Sequence, residues 1–214
     1  MSFTNRQVSY LIKPVIFLLA LMPFAYLVYG AFTDSLGTNP VEALTHETGE
    51  WGLRFLLITL CISPLKRLLG ISWLIKLRRM LGLFAFFYAC MHFLTYIWLD
   101  QFFDFYEILL DIPKRPFITI GFISFVLIIP LAVTSTKKMQ QRLKHHWKRL
   151  HQLVYIIPML VVVHFMWSLK ADYTEPFIYT LLFLLLMSER AYRSRVGHIR
   201  GERKAVAHKK APQF

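Results

Sequence analysis

The sequence predicts an all-α integral membrane protein, a bundle of six transmembrane helices with both termini in the cytoplasm. Three observations predict it. Of 214 residues, 56% are hydrophobic and 16% aromatic, with 19 phenylalanines, which is richer in apolar mass than ordinary soluble domains. The apolar residues are gathered into runs near 20 long, enough to cross about 30 Å of hydrocarbon as a helix. The basic residues collect in alternate loops, the pattern that sets orientation in a membrane.

Four runs contain no Asp, Glu, Lys or Arg: residues 14–32, 80–99, 116–136 and 150–169. Two others are weaker, since 51–65 holds Arg54 and 176–188 is short, ending just before Glu189. Counting both as spans makes the loop charges alternate. The segments then assigned to the cytoplasm hold Arg6 and Lys13, then Lys66, Arg67, Lys76, Arg78 and Arg79. They continue with Lys137, Lys138, Arg142, Lys144, Lys148 and Arg149, and end in a basic tail over 191–214. The opposite loops hold Asp34, Glu42 and Glu47, then Asp100, Asp104, Glu107 and Asp111, then Asp172 and Glu175. Lys114, Arg115 and Lys170 run against the trend. Residues 1–190 read as one membrane domain, and the tail as a disordered or interfacial segment near anionic headgroups.

The net charge of +13 does not indicate a nucleic-acid binder, because the cations sit in short clusters between apolar runs. Cys61 and Cys90, the two cysteines, both lie inside apolar runs, which argues against a disulfide framework or a thiolate zinc site. The first apolar run is long and lacks a small-residue cleavage pattern after it, so it reads as a span. The basic tail and the loops offer no room for a nucleotide-binding domain, and no Gly-rich phosphate fingerprint occurs.

Of eight histidines, His46, His145, His146, His198 and His208 fall in loops or the tail and read as solvated polar residues. His92, His151 and His164 lie in spans. At about 1.5 Å per residue, His92 lies about 20 Å from Arg79, and His164 about 22 Å from Arg149. The third and fifth spans therefore carry one histidine each at nearly equal depth, in the external half of the bilayer. Two imidazoles at one level on different helices suit the two axial positions of a haem iron, with Phe86, Phe87, Tyr96, Phe165 and Trp167 to shield a flat macrocycle. A hydrogen-bonded pair between helices, or a proton path, suits them equally. A zinc or copper site fits less well, because no carboxylate or thiolate stands at that depth.

His151 lies near the cytoplasmic surface, 13 positions before His164. On a straight helix that spacing leaves the two side chains roughly 140° apart. The matching positions on the third span are Arg78 and Arg79, with no histidine to pair with His151. The two arginines are suited to clamp a phosphate or haem propionates at the inner surface, or simply to anchor the helix.

Three stretches carry a resemblance: "LRRMLGLFAFFYACMHFLTYIWLD", "KRPFITIGFISFVLIIPLAVTST" and "WKRLHQLVYIIPMLVVVHFMWSLK". In their combined order they resemble the MsrQ family, the membrane subunits of bacterial periplasmic methionine sulfoxide reductase systems. That family sits within the ferric reductase-like transmembrane group, which also includes the NADPH oxidases. The resemblance covers nearly the whole chain up to the tail. It implies a bacterial inner-membrane protein holding haem b in the bundle and FMN near the cytoplasmic face. It also implies a soluble periplasmic partner, a molybdopterin-containing reductase that repairs oxidised methionine. Carried over residue by residue, His92 and His164 match the haem iron ligands, and His151 matches the inner histidine of the fifth span. Where the oxidases have a second histidine on the third span, this chain has Arg78 and Arg79. That departure leaves His151 as a contact for either a second haem or the flavin.

The resemblance further implies an electron-transfer subunit rather than a stand-alone catalyst. Electrons would enter from a cytoplasmic flavin reductase or from quinol, and leave towards a partner docked on the acidic external loops. Arg54, near the external end of the second span, is placed to meet a haem propionate or to snorkel to headgroups. Two other functions compete: a transmembrane ferric or cupric metalloreductase, and a small transporter with a histidine proton path.

Overall fold

The computed structural model describes residues 5–169 and 172–210 and, apart from residues 5, 9 and 197–210, their side chains. Lys170 and residues 211–214 of the basic tail lie outside the described residues. Among the described residues there is no strand. Nine helices of six residues or more carry the fold: α1 (Lys13–Phe32), α2 (Pro40–Leu69), α3 (Arg78–Thr95), α4 (Phe105–Lys114), α5 (Pro116–Val133), α6 (Lys137–Leu143), α7 (His145–Leu150), α8 (Ile156–Ser168) and α9 (Thr174–Lys210).

Among the described residues, four stretches are long and apolar enough to cross a membrane: Tyr10–Phe32, Arg78–Asp100, Pro116–Val133 and His145–Ser168. They match the four charge-free runs. The two weaker spans lie inside longer helices, α2 of 30 residues and α9 of 37. Charged residues in both helices keep them out of the purely apolar class. In α9 the helix continues through the basic tail as far as Lys210, where the sequence suggested disorder or an interfacial segment.

Helix boundaries follow local chemistry. Asn39 caps α2 by accepting from the Glu42 N–H, with Pro40 in the first turn, where its missing N–H costs nothing. Gly70 then ends α2 at φ +69°, a left-handed conformation that suits glycine. Asp104 caps α4 through the N–H groups of Tyr106 and Glu107. Thr136 caps α6 through Met139.

Packing centres on two helix pairs, α2 on α3 and α5 on α8, with α3 and α5 also in contact. Tyr88 of α3 is fully buried and stacks on Phe55 of α2 at 5.4 Å between ring centroids. Its hydroxyl donates to the Ala20 carbonyl at 2.9 Å and accepts from the Phe24 N–H at 3.0 Å. A straight helix would join that carbonyl and that N–H to each other. Tyr88 is thus inserted into the α1 ladder, one residue from Pro23, and ties α1 to the core. Elsewhere α1 and α9 expose large apolar side chains, Leu18 at 63% and Leu185 at 57% among them, as a lipid-facing surface requires.

Ion pairs fix the ends. At one end Arg54 of α2 meets Glu175 of α9 at 3.8 Å; at the other Arg67 of α2 meets Glu189 of α9 at 2.7 Å. α2 and α9 therefore run the same way, from an acidic end towards a basic end.

Candidate functional site

A cavity of about 540 Å³ opens between α2, α3, α5 and α8 towards the acidic end. Its size falls within the range of cofactor sites, about 300–1,000 Å³. His92 of α3 and His164 of α8 both face it, with ring centroids 6.0 Å apart and ring planes at 76°. The sequence placed these two at one level, and the fold brings their rings together.

Each ring is held by a backbone carbonyl of the neighbouring helix. The His92 Nδ1–H donates to the Thr45 carbonyl at 2.9 Å, and the His164 Nδ1–H to the Phe117 carbonyl at 2.7 Å. A carbonyl can only accept, so in both rings the proton sits on Nδ1 and Nε2 keeps its lone pair. Ligating histidines are oriented in the same way, their second ring N–H given to an oxygen of the protein.

The spacing tests what could lie between them. Metal–imidazole bonds are about 2.0–2.1 Å and a ring nitrogen lies about 1.2 Å from its ring centre. Two imidazoles opposed across one metal therefore have centres about 6.4 Å apart, close to the 6.0 Å observed. Among the described residues no third His, Cys, Asp or Glu joins them in a metal-binding group. A metal held by these two imidazoles would take its remaining ligands from something other than a His, Cys, Asp or Glu side chain of the described residues. A macrocycle that brings its own nitrogen ligands would meet that need, so the residues present fit a haem.

Of the aromatic residues expected to shield such a group, Tyr96 and Phe165 line the cavity, whereas Phe86, Phe87 and Trp167 do not. Phe93 and Phe125, stacked at 4.5 Å, take that place, and Phe86 stacks behind Phe125. Arg54 does not line the cavity. Its guanidinium lies over Trp51 at 4.8 Å, donates to the Tyr179 hydroxyl at 2.8 Å, and is surrounded by Glu47, Glu50 and Glu175. Three carboxylates and an aromatic face satisfy it without a propionate. The arginine that does line the cavity is Arg115, one of the cations against the charge trend.

The basic end is built differently. His151 opens a five-residue 3₁₀ segment, His151–Tyr155, that precedes α8. Pro158 has no N–H to give and its ring crowds the carbonyl four residues back, which favours the tighter winding just before it. Three residues per turn instead of 3.6 over that stretch adds about 100°, reducing the offset between His151 and His164 from about 140° to about 40°. The His151 ring stacks on Trp147 at 4.0 Å. The Thr134 hydroxyl donates to the Pro130 carbonyl, so its oxygen accepts from His151 Nε2–H at 3.0 Å. Arg78, half-buried, lies close enough to His151 to interact electrostatically, whereas Arg79 is exposed.

Comparison with known proteins identifies the family. Residues 48–162 match the model of the ferric reductase like transmembrane component family. A protein of Herminiimonas arsenicoxydans called "Protein-methionine-sulfoxide reductase heme-binding subunit MsrQ" is 51% identical over 185 residues, 85% of each chain. The protein of that name from Azospira oryzae is 49% identical over 87% of this chain and 81% of its own. The chain belongs to the MsrQ family. One from Xanthomonas campestris is 48% identical over 75% of this chain and 74% of its own. No solved structure matches the chain significantly. Within an MsrQ-family chain, the 48–162 match runs from α2 into α8, so it takes in His92 and stops two residues short of His164.

Sequence reasoning missed Gly49 and Gly121, which lie against the two ligand-like rings. It also missed Thr134 and Trp147, the partners of His151. The glycines had a readable signal: each precedes its histidine by the same 43 positions.

Proposed function

We propose that this protein is the membrane electron-transfer subunit of a periplasmic methionine sulfoxide reductase system, in which His92 and His164 would hold a haem b. The observation that carries this reading is the imidazole pair, 6.0 Å apart, with both Nδ1–H groups committed to carbonyls. Haem supplies reversible one-electron chemistry when bound.

The chain's own residues do the rest. The Thr45 and Phe117 carbonyls hold the rings in the tautomer that presents Nε2. Phe93, Phe125 and Phe165 keep the cavity apolar and limit water. Arg115 offers a cation at the mouth for a propionate. At the basic end Arg78, Arg79 and His151 are the candidates for contact with FMN or a second haem, a guanidinium being well matched to phosphate or carboxylate. The charge alternation supports six spans with both termini cytoplasmic, and the family resemblance supports a bacterial inner membrane. The donor is a cytoplasmic flavin reductase or quinol, and the acceptor is a molybdopterin-containing subunit docking at the acidic end.

Purified protein produced with adequate haem supply should show a Soret band and a low-spin signal. Near-perpendicular ring planes predict a strongly anisotropic low-spin EPR spectrum. Dithionite-reduced protein should be reoxidised by methionine sulfoxide only when the molybdenum subunit is added. Reoxidation by ferric citrate alone at a comparable rate would favour a metalloreductase instead, and absence of a Soret band would end both redox readings.

A further inference from the structure

The same three-part unit occurs twice in the molecule, offset by 72 positions in each of its members. In the first, the Thr45 carbonyl accepts from His92, whose ring lies against Gly49. In the second, the Phe117 carbonyl accepts from His164, whose ring lies against Gly121. The glycine stands four residues after the carbonyl in both. In an α-helix the N–H of that residue already bonds this carbonyl, and its side chain stands close by. Glycine leaves the oxygen open to a further donor from the neighbouring helix, at Thr45 beside the Thr48 hydroxyl 3.1 Å away.

The space left is taken up by the ring itself. A Cβ at Gly49 would lie 3.0 Å from His92 Nδ1 and 3.1 Å from Cε1. At Gly121 it would lie 2.8 Å from both Nδ1 and Cε1 of His164. Gly52, on the same helix as Gly49, would meet its nearest neighbour at 3.6 Å, and Gly82 on α3 at 3.7 Å, both ordinary contacts. Close packing between helices therefore does not by itself account for Gly49 and Gly121. A histidine ring is rigid, and here it is fixed at the Cα end and at Nδ1, so it cannot yield without losing its hydrogen bond.

We propose that Gly49 and Gly121 are positioning residues that let two backbone carbonyls set the tautomer and plane of the His92 and His164 rings. This rests on the reading of those histidines as haem ligands. The device has no side-chain acceptor to mutate, because both acceptors are main-chain oxygens, so the glycines are the points at which it can be broken. A methyl group at either one displaces the ring, lengthens the Nδ1–H···O bond and removes the preference for a free Nε2. Loss of such a supporting bond weakens metal retention about 10- to 100-fold.

The test compares haem-loaded, full-length Gly121→Ala, Gly49→Ala and Gly82→Ala with the parent, using optical and EPR spectra, redox titration and thermal unfolding. Gly121→Ala should lose the six-coordinate low-spin signal. Gly49→Ala, with the longer approach, should keep a weakened signal with an altered midpoint potential. Gly82→Ala should match the parent, since alanine is the better helix former and its contact is ordinary. If Gly121→Ala does not accumulate, the signal and potential of Gly49→Ala decide. Parental signal and potential in the tested variants, even with lower thermal stability, overturn the proposal. His92→Ala and His164→Ala run alongside: if they keep the low-spin signal, the ligand reading itself fails. Their loss of signal with intact glycine variants fails only the positioning role.

Discussion

His164 and His151 stand on one stretch of chain, 13 positions apart, and their ring nitrogens are committed in opposite senses. His164 gives Nδ1–H to the Phe117 carbonyl and keeps Nε2 free, facing His92 across a cavity. His151 gives Nε2–H to Thr134 and lies flat on Trp147. The 3₁₀ segment brings them towards one face of the helix, so direction alone does not separate their roles. The difference lies in the neighbour each ring meets: a glycine-exposed carbonyl at the acidic end, a threonine hydroxyl and an indole at the basic end. An imidazole's chemistry here is set by which of its two nitrogens the neighbouring helix has claimed.

The largest effect that could break this contrast comes from exchanging the two histidines' fates. His164→Ala and His92→Ala should each abolish the low-spin spectrum, because a single remaining imidazole cannot supply both axial positions. His151→Ala should leave that spectrum in place. The haem-to-protein ratio and the extracted flavin then sharpen the comparison at the basic end. An unchanged ratio means that Nε2 stays with Thr134 in the loaded protein. A lowered ratio with the acidic-end signal preserved means that the Thr134 bond gives way to a second group. Thr134→Val, which removes the acceptor without touching the ring, separates these outcomes through the same two quantities.

Much of the acidic-end site was legible in the sequence. Counting the helical rise from Arg79 and Arg149 put His92 and His164 at one depth; the 3₁₀ segment on the way to His164 lengthens that count by only about 2.5 Å. The four charge-free runs were legible as well, since hydrophobicity and length are properties of a segment by itself. What stayed hidden depends on pairs of helices. Gly49 means nothing until His92 is known to lie against it. For Arg54, read as meeting a propionate or snorkelling, Glu50 and Glu47 on its own helix were readable partners, whereas Glu175 and Tyr179 belong to another helix. The winding at His151–Tyr155 was hidden: a straight-helix count sets His151 about 140° from His164, and only the tightened turn before Pro158 brings it round.

A smaller effect tests whether the acidic-end site depends on how α3 is anchored. Tyr88 lies one helical turn before His92 and bridges the opened ladder of α1. Tyr88→Phe removes the bridging hydroxyl from the Ala20 carbonyl and the half-buried Phe24 N–H, at a cost of about 0.5–1.5 kcal/mol per hydrogen bond. Thermal unfolding in detergent should show the loss. The low-spin spectrum should not change, because His92 takes its orientation from α2 through Thr45 and not from α1. A shifted spectrum would mean that the site is set by the whole bundle, and the contrast between the two ends would lose its local basis.

The smallest effect concerns pH at the mouth of the cavity. Burial pushes the Asp111 carboxyl up, but hydrogen bonds from Arg115 and Tyr96, with the Arg115 charge, outweigh it and hold the group below the usual carboxylate range. A carboxyl with a lowered folded-state pKa stabilises the fold fully above its unfolded value, about 3.9. That contribution is lost as pH falls through the lowered value. The pair is exposed enough, with Arg115 at 44%, that its worth is about 0.2–1 kcal/mol. Asp111→Asn should remove this acid dependence and release Arg115, a residue that lines the cavity. If Arg115 also contacts a propionate, the acidic-end midpoint potential should shift in Asp111→Asn at neutral pH, while extracted flavin stays as in the parent. A potential indifferent to Asp111 would confine Arg115 to the loop and leave the cavity mouth without a cation of its own.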